Sequence, residues 1–185
     1  MEKKKKLTVQ QVKRSENLAD GPSSWSKYKR DYNMDRNLFH YLLKRMKRAK
    51  IDPQVDMFAS PGNHQLPKFV SRYPHWQAME VDALKCPLEK IQCCYANPPW
   101  SIIGKWLHRL RENKELTCMM ITPYWVSASW WPLLVKLQVR GAPAFLIPPY
   151  QGMFKNCWGE FMPPPRWPLI CVILSEKATG QTGQF

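Results

Sequence analysis

The sequence predicts an α/β fold: a mostly parallel sheet with helices on both faces and an antiparallel hairpin formed by the last two strands. Three observations lead there. Short, continuous apolar runs recur along the chain, among them VDMFA, IQCCYA, LTCMMIT, AFLIPP and LICVILS, and strands buried on both faces require such runs. Stretches with helical spacing of apolar residues alternate with several of them. The final two runs are joined by an aromatic, Pro- and Gly-rich loop without a helical pattern, which suits strands running in opposite directions.

Taken in order, residues 1–30 read as a basic, flexible N-terminal tail. They hold KKKK at 3–6 and GPSS at 21–24 and offer little to bury. A single domain is expected over 31–176, with a C-terminal tail at 177–185. DRNLFHYLLKRMKRAK (35–50) places Leu38, Phe39, Leu42, Leu43 and Met46 on one stripe and predicts an amphipathic helix. Asp35 caps its start, Asp52-Pro53 ends it, and the cationic last turn suits the helix dipole. VDMFA (55–59) is the first buried strand, followed by the turn-rich SPGN. LPKFVSRY (66–73) and AMEVDAL (78–84) follow as the second and third, and IQCCYA (91–96) as the fourth. SIIGKWLHRLREN (101–113) is a helix with Ile102, Ile103, Trp106, Leu107 and Leu110 on one face. LTCMMIT (116–122) is a strand stopped by Pro123, and WWPLLVKLQ (130–138) is a helix with Pro132 in its first turn. AFLIPP (144–149) and LICVILS (169–175) complete the sheet.

A length of 185 residues suits one domain, and 44% hydrophobic residues are enough to bury a core. Lys and Arg number 28 against 14 Asp and Glu, a formal charge of +14. An excess of that size points to polyanionic partners, nucleic acid before an anionic membrane. No apolar run approaches the length of a membrane span. The N-terminal lysines have no apolar segment behind them, so no secretory signal is expected. The six Cys then read as reduced thiols of an intracellular protein, nuclear in a eukaryote and cytoplasmic in a phage or bacterium. None of them forms a C-x-x-C pair, and no metal is expected.

In an open α/β sheet ligands bind beyond the carboxyl ends of the strands. Asp56, Asp82 and Asn97 each stand at or near such an end and could converge on one crevice. Asn97 opens the stretch NPPW (97–100), in which two prolines stiffen the chain as it leaves a strand. An exocyclic amine of a base is a poor nucleophile, because its lone pair is delocalised into the ring. Acceptors facing its two N–H groups draw charge onto nitrogen. The Asn97 side-chain oxygen and the Pro98 carbonyl can be those acceptors, held still by Pro98 and Pro99. Trp100 offers a flat face for the base. No dedicated general base is needed, since the proton can leave to water. In PYWVSASWW (123–131), Tyr124, Trp125, Trp130 and Trp131 serve either stacking or the core.

DMFASPGNHQLPKFVS (56–71), VDALKCPLEKIQCCYANPPWSIIGKWLHRL (81–110) and MMITPYWVSASWW (119–131) resemble the phage-type DNA N6-adenine methyltransferases (Dam-like). They resemble still more the methyltransferase-like domain of DIRS-type retroelements, over roughly residues 34–175. The resemblance implies a class I Rossmann-like methyltransferase that uses S-adenosylmethionine to methylate adenine N6 in DNA. It implies that Asp56, Phe58, Ala59 and Ser60 touch the cofactor, that Asp82 and Ala83 meet its adenine, and that Asn97, Pro98, Pro99 and Trp100 form the catalytic motif. One departure is plain: the second strand ends in Arg72-Tyr73, without the acid that would hold a ribose hydroxyl. Two alternatives stay open: a catalytically inactive, nucleic-acid-binding derivative, and an amino methyltransferase acting on RNA or on cytosine N4.

Overall fold

The computed structural model describes residues 31–179. The expected tail at 1–30, and residues 180–185 of the C-terminal one, lie outside the described residues. The chain forms β1 (Tyr32–Met34), α1 (Arg36–Arg48), β2 (Val55–Ala59), β3 (Lys68–Ser71), β4 (Glu80–Val81) and β5 (Cys93–Ala96). A 3-10 turn, Trp100–Ile102, leads into α2 (Ile103–Glu112). Then come β6 (Thr117–Pro123), α3 (Trp131–Leu137), β7 (Phe145–Ile147), β8 (Phe154–Asn156), β9 (Leu169–Leu174) and a final 3-10 turn, Glu176–Thr179.

Seven strands make one sheet in the order β4-β3-β2-β5-β6-β9-β7. β2 through β6 pair in parallel, and β9 runs antiparallel to both β6 and β7. This is the mostly parallel, Rossmann-like sheet with an antiparallel C-terminal pair expected from the sequence. The chain first builds outward from β2 to β4. It then crosses back to lay β5 on the other side of β2, so the strand order reverses between β2 and β5.

Alternation along the strands divides the interior into two cores. Cys94, Ala96, Cys118, Met120, Val172 and Leu174 face the layer that α2 and α3 cover with Trp106, Leu107, Leu110, Leu134 and Leu137. Tyr95, Met119, Ile121, Cys171 and Ile173 face the opposite layer, covered by Phe39, Leu42 and Met46 of α1. Cys86, Cys93, Cys94, Cys118 and Cys171 are free thiols. Burial pushes Cys93 up to about 12 and holds Cys94 and Cys171 protonated as well, so these packed thiols are poor nucleophiles.

Two features differ from the sequence reading. The third strand is cut to Glu80–Val81, because Asp82 takes a left-handed φ of 61° and the amides of Lys85 and Cys86 turn back onto its carbonyl. A second, two-stranded sheet pairs β1 with β8, Tyr32 opposite Asn156 and Met34 opposite Phe154. Strands of three residues carry too little alternation to be read from sequence.

Asp35 caps α1 as expected: its Oδ1 accepts from the Asn37 amide at 3.1 Å, while Oδ2 accepts from the Tyr150 hydroxyl at 3.0 Å. Asp35→Ala should therefore lower stability by about 1 kcal/mol. Trp106, fully buried on α2, packs edge-on against Phe58 with ring centroids 5.1 Å apart. Trp106→Ala should lower stability by about 3–5 kcal/mol. Urea titration checks both, as a lower midpoint at unchanged slope.

Candidate active site

Asp56 pairs opposite Tyr95 of β5 and Phe69 of β3, at the reversal of strand order. It is 3% exposed. Its Oδ2 accepts from the Gln65 amide at 2.9 Å and its Oδ1 from the Phe58 amide at 3.4 Å. Removal from water raises its pKa to about 7, and the two amide donors oppose that rise only in part. The loop after β2 closes on itself: Asn63 Oδ1 accepts from the Ser60 amide at 2.6 Å and lies 3.0 Å from the Ser60 hydroxyl. Ala59 and Ser60 are both buried at this turn.

That loop is laced to β1 by side chains bonded to main-chain carbonyls. Asn33 Nδ2 donates to Gly62 at 3.0 Å, Asn63 Nδ2 to Tyr32 at 3.3 Å, and Gln65 Nε2 to Met34 at 3.0 Å. The lacing makes β1 one wall of a cleft of about 200 Å³. Asp31, Tyr32 and Met34 form this wall, and Asp56, Phe58, Asn63 and Gln65 belong to β2 and its loop. Arg72 closes the β3 side, and Tyr95, Asn97 and Pro99 the β5 side. Burial raises the pKa of Asp31, against the nearby Ser60 hydroxyl and Arg72 guanidinium. The Gln65 Oε1 and Tyr95 hydroxyl are buried without a hydrogen-bond partner in good geometry among the described residues. Burial, then the Asp56 charge, keep Tyr95 protonated, while the neighbouring Asn97 side chain works weakly the other way.

β5 ends at Ala96, and Asn97 follows it half-buried at the cleft. The two prolines carry the chain out to the 3-10 turn. The Pro99 carbonyl is taken by the Ile102 amide at 2.9 Å, whereas no backbone donor among the described residues reaches the Pro98 carbonyl. Trp100 is 36% exposed. Its ring stands edge-on to Trp125, at 5.4 Å, and to Trp167, at 5.2 Å, and those two meet at 4.9 Å. Tyr124 is exposed and lies edge-on to Trp131, while Trp130 and Trp131 pack against the core. The aromatic loop thus divides its duties: Trp125 joins Trp100, and the later pair anchors α3.

Asp82 and Ala83 stand at the end of β4 and do not line the cleft. Asp82 donates its amide to the Ser71 carbonyl at 2.8 Å, accepts from the Leu84 amide at 3.1 Å and lies 3.5 Å from Lys85 Nζ. Ala83 is buried in the core. Arg109 of α2 clamps this turn from below, donating Nη1 to the Leu84 carbonyl at 2.7 Å and Nη2 to the Cys86 carbonyl.

Asp56, Phe58, Asn97 and Pro99 therefore meet at one cleft, with Trp100 beside it, and Asp82 with Ala83 forms a separate corner. Sequence reasoning passed over Asp31, Tyr32, Asn63, Gln65, Tyr95 and Trp167. Arg72 entered the sequence reading only as the residue standing where an acid was expected, although the strand-end rule that marks Asp56 and Asn97 marks the residue after β3 equally. Among the described residues no group of three or more His, Cys, Asp or Glu could hold a metal ion.

No family model and no curated protein matches the chain. Among solved structures it is similar to a dimethyladenosine transferase from Plasmodium falciparum, at 16% identity and a TM-score of 0.43, over 72% of this chain and 60% of that one. The chain thus spans less than two thirds of the length of that protein.

Proposed function

We propose that this chain is an S-adenosylmethionine-dependent methyltransferase acting on the exocyclic amine of adenine, at N6, in DNA. One observation carries the reading. At the reversal of strand order, the Asn97 side chain lines the cleft beside the Tyr95 hydroxyl, and among the described residues no backbone donor reaches the carbonyl of the buried Pro98 that follows it, next to an exposed tryptophan.

An adenine amine lying there donates one N–H to the Asn97 oxygen and the other to the Pro98 carbonyl. Both acceptors pull charge onto nitrogen as it attacks, and the diproline holds them in place beforehand, so little reorganisation is needed. Trp100 supports the face of the base, itself braced by Trp125 and Trp167. The spent amine proton leaves to water. A base in a duplex must be flipped out to reach this position.

The cleft fits a cationic cofactor. Asp31 and Asp56 bring two carboxyl groups into it, and the orphaned Gln65 Oε1 and Tyr95 hydroxyl offer unmet hydrogen-bonding capacity. Asp56, Phe58, Ala59 and Ser60 would hold the cofactor at the end of β2, whereas Asp82 and Ala83, which stand outside the cleft, are not assigned a contact with it. When bound, S-adenosylmethionine supplies an electrophilic methyl group on a sulfonium. The formal charge of +14 supports nucleic acid as the other partner.

Two outcomes test this reading. Asn97→Ala should reduce methyl transfer about 100-fold or more, measured by mass spectrometry of nucleosides from DNA and RNA incubated with labelled cofactor. Wild-type labelling of adenine in DNA supports the proposal, and an undiminished variant overturns the mechanism. Cofactor affinity should also depend on pH. A cation stabilises ionised Asp56, so its pKa falls from about 7 on binding. The free protein then holds a proton below about 7 that binding must release, and affinity rises with pH until Asp56 is ionised in both states. Calorimetric titration should show this rise in the wild type and none in Asp56→Asn.

A further inference from the structure

We infer that Trp158 is a stacking post at the rim of the cleft, where it receives an unpaired base of the nucleic acid whose target enters the site. This rests on the nucleic-acid reading above. Trp158 is 66% exposed, one of the most exposed large apolar side chains described, and nearby Phe161 is 63% exposed. Leaving an indole in water forgoes its burial, and here it is left there on a turn that is firmly built.

The turn is organised by one side chain. Asn156 Oδ1 accepts from the Trp158 and Glu160 amides, both at 3.0 Å, and its Nδ2 donates to Glu160 Oε2 at 2.8 Å. The main chain closes the same loop, with the Gly159 amide on the Asn156 carbonyl at 3.0 Å and the Asn156 amide on the Glu160 carbonyl at 2.9 Å. Gly159 supplies a φ of 83°, which side-chain-bearing residues rarely adopt. Phe161 buttresses the base, its ring 3.3 Å from the position a Cβ on Gly152 would take and 4.8 Å from Lys155 Nζ. The main chain that carries the indole is therefore ordered before any ligand arrives, so binding has to order little beyond the side chain itself.

Position and charge choose the ligand. Asn156 is the direct strand partner of Tyr32, which lines the cleft, so the turn springs from the cleft's own wall. A target base held at Asn97, beside the cleft, brings its neighbours over this rim. Lys155 supplies a cation beside the turn, and the one carboxylate in it, Glu160, is engaged by Asn156. Stacking on an indole is available to every base, so the post serves unpaired DNA or RNA irrespective of sequence.

The test is fluorescence anisotropy of the full chain with a short labelled single-stranded oligonucleotide, DNA in one arm and RNA in the other. Trp158→Ala should bind roughly five-fold or more weakly, with an unchanged melting temperature because the side chain is exposed. Trp158→Phe, which keeps a flat ring, should recover most of the affinity. If the wild type binds and Trp158→Ala binds equally, the inference is overturned while the proposed function stands, and the indole is left to a protein partner. If Phe is no better than Ala, stacking is overturned. If the wild type binds neither oligonucleotide, this inference and the nucleic-acid reading fall together.

Discussion

The parallel pairing of β2 with β5, Val55 beside Cys94 and Asp56 beside Tyr95, is the constraint on which the site depends. It is the one place where strands distant in sequence lie adjacent and both send their carboxyl ends into the same opening. β3 and β4 lie on one side of it and β6, β9 and β7 on the other. The loops that leave β2 and β5 consequently diverge there, and a cleft is left between them. The buried carboxyl of Asp56 and the amide of Asn97 come together only through this pairing. The cores on either face fix its register, because a slip of one residue would send Tyr95 into the layer occupied by Cys94.

The sheet was largely legible because its central strands are buried on both faces. VDMFA, CCYA and TCMMITP carry dense apolar runs, interrupted only by Asp56, Thr117 and Thr122, and no other element type accounts for so many of them at such short lengths. Helices α1 and α2 were legible through spacing, and Asp35 and Pro132 through the chemistry of helix starts. Failure came where the chain is held by single contacts. AMEVDAL looks like a strand, yet one left-handed residue, Asp82, ends it after two positions. β1 and β8 are defined by their pairing with each other, which no local pattern encodes.

The site was legible in the same measure. Asn97 and its prolines declare themselves, because that combination leaves few backbone options. Asp56 is marked by being a lone acid in an apolar run. The remaining wall is built from residues whose role exists only through long-range hydrogen bonds: Gln65 reaches Met34, and Asn63 reaches Tyr32. Nothing near them in sequence shows this. Arg72 has the converse status, visible but chemically unexpected. It brings a guanidinium to the β3 side of the cleft, and among the described residues no carboxylate lies within ion-pair distance of it. Asp31, whose carboxyl feels that guanidinium, offsets the charge within the cleft.

Helix α2 joins two parts of the site that otherwise share little. It starts directly after the diproline turn, and six residues on it carries Arg109, whose guanidinium grips the Leu84 and Cys86 carbonyls. The helix therefore acts as a ruler between them. Each residue advances a helix by about 1.5 Å and turns it by about 100°, so a single insertion between Ile103 and Arg109 would swing the guanidinium off its carbonyls and free the loop bearing Asp82. Through this stretch, spacing is constrained more tightly than composition: outward-facing Lys105 and His108 can be exchanged, but the count of residues cannot.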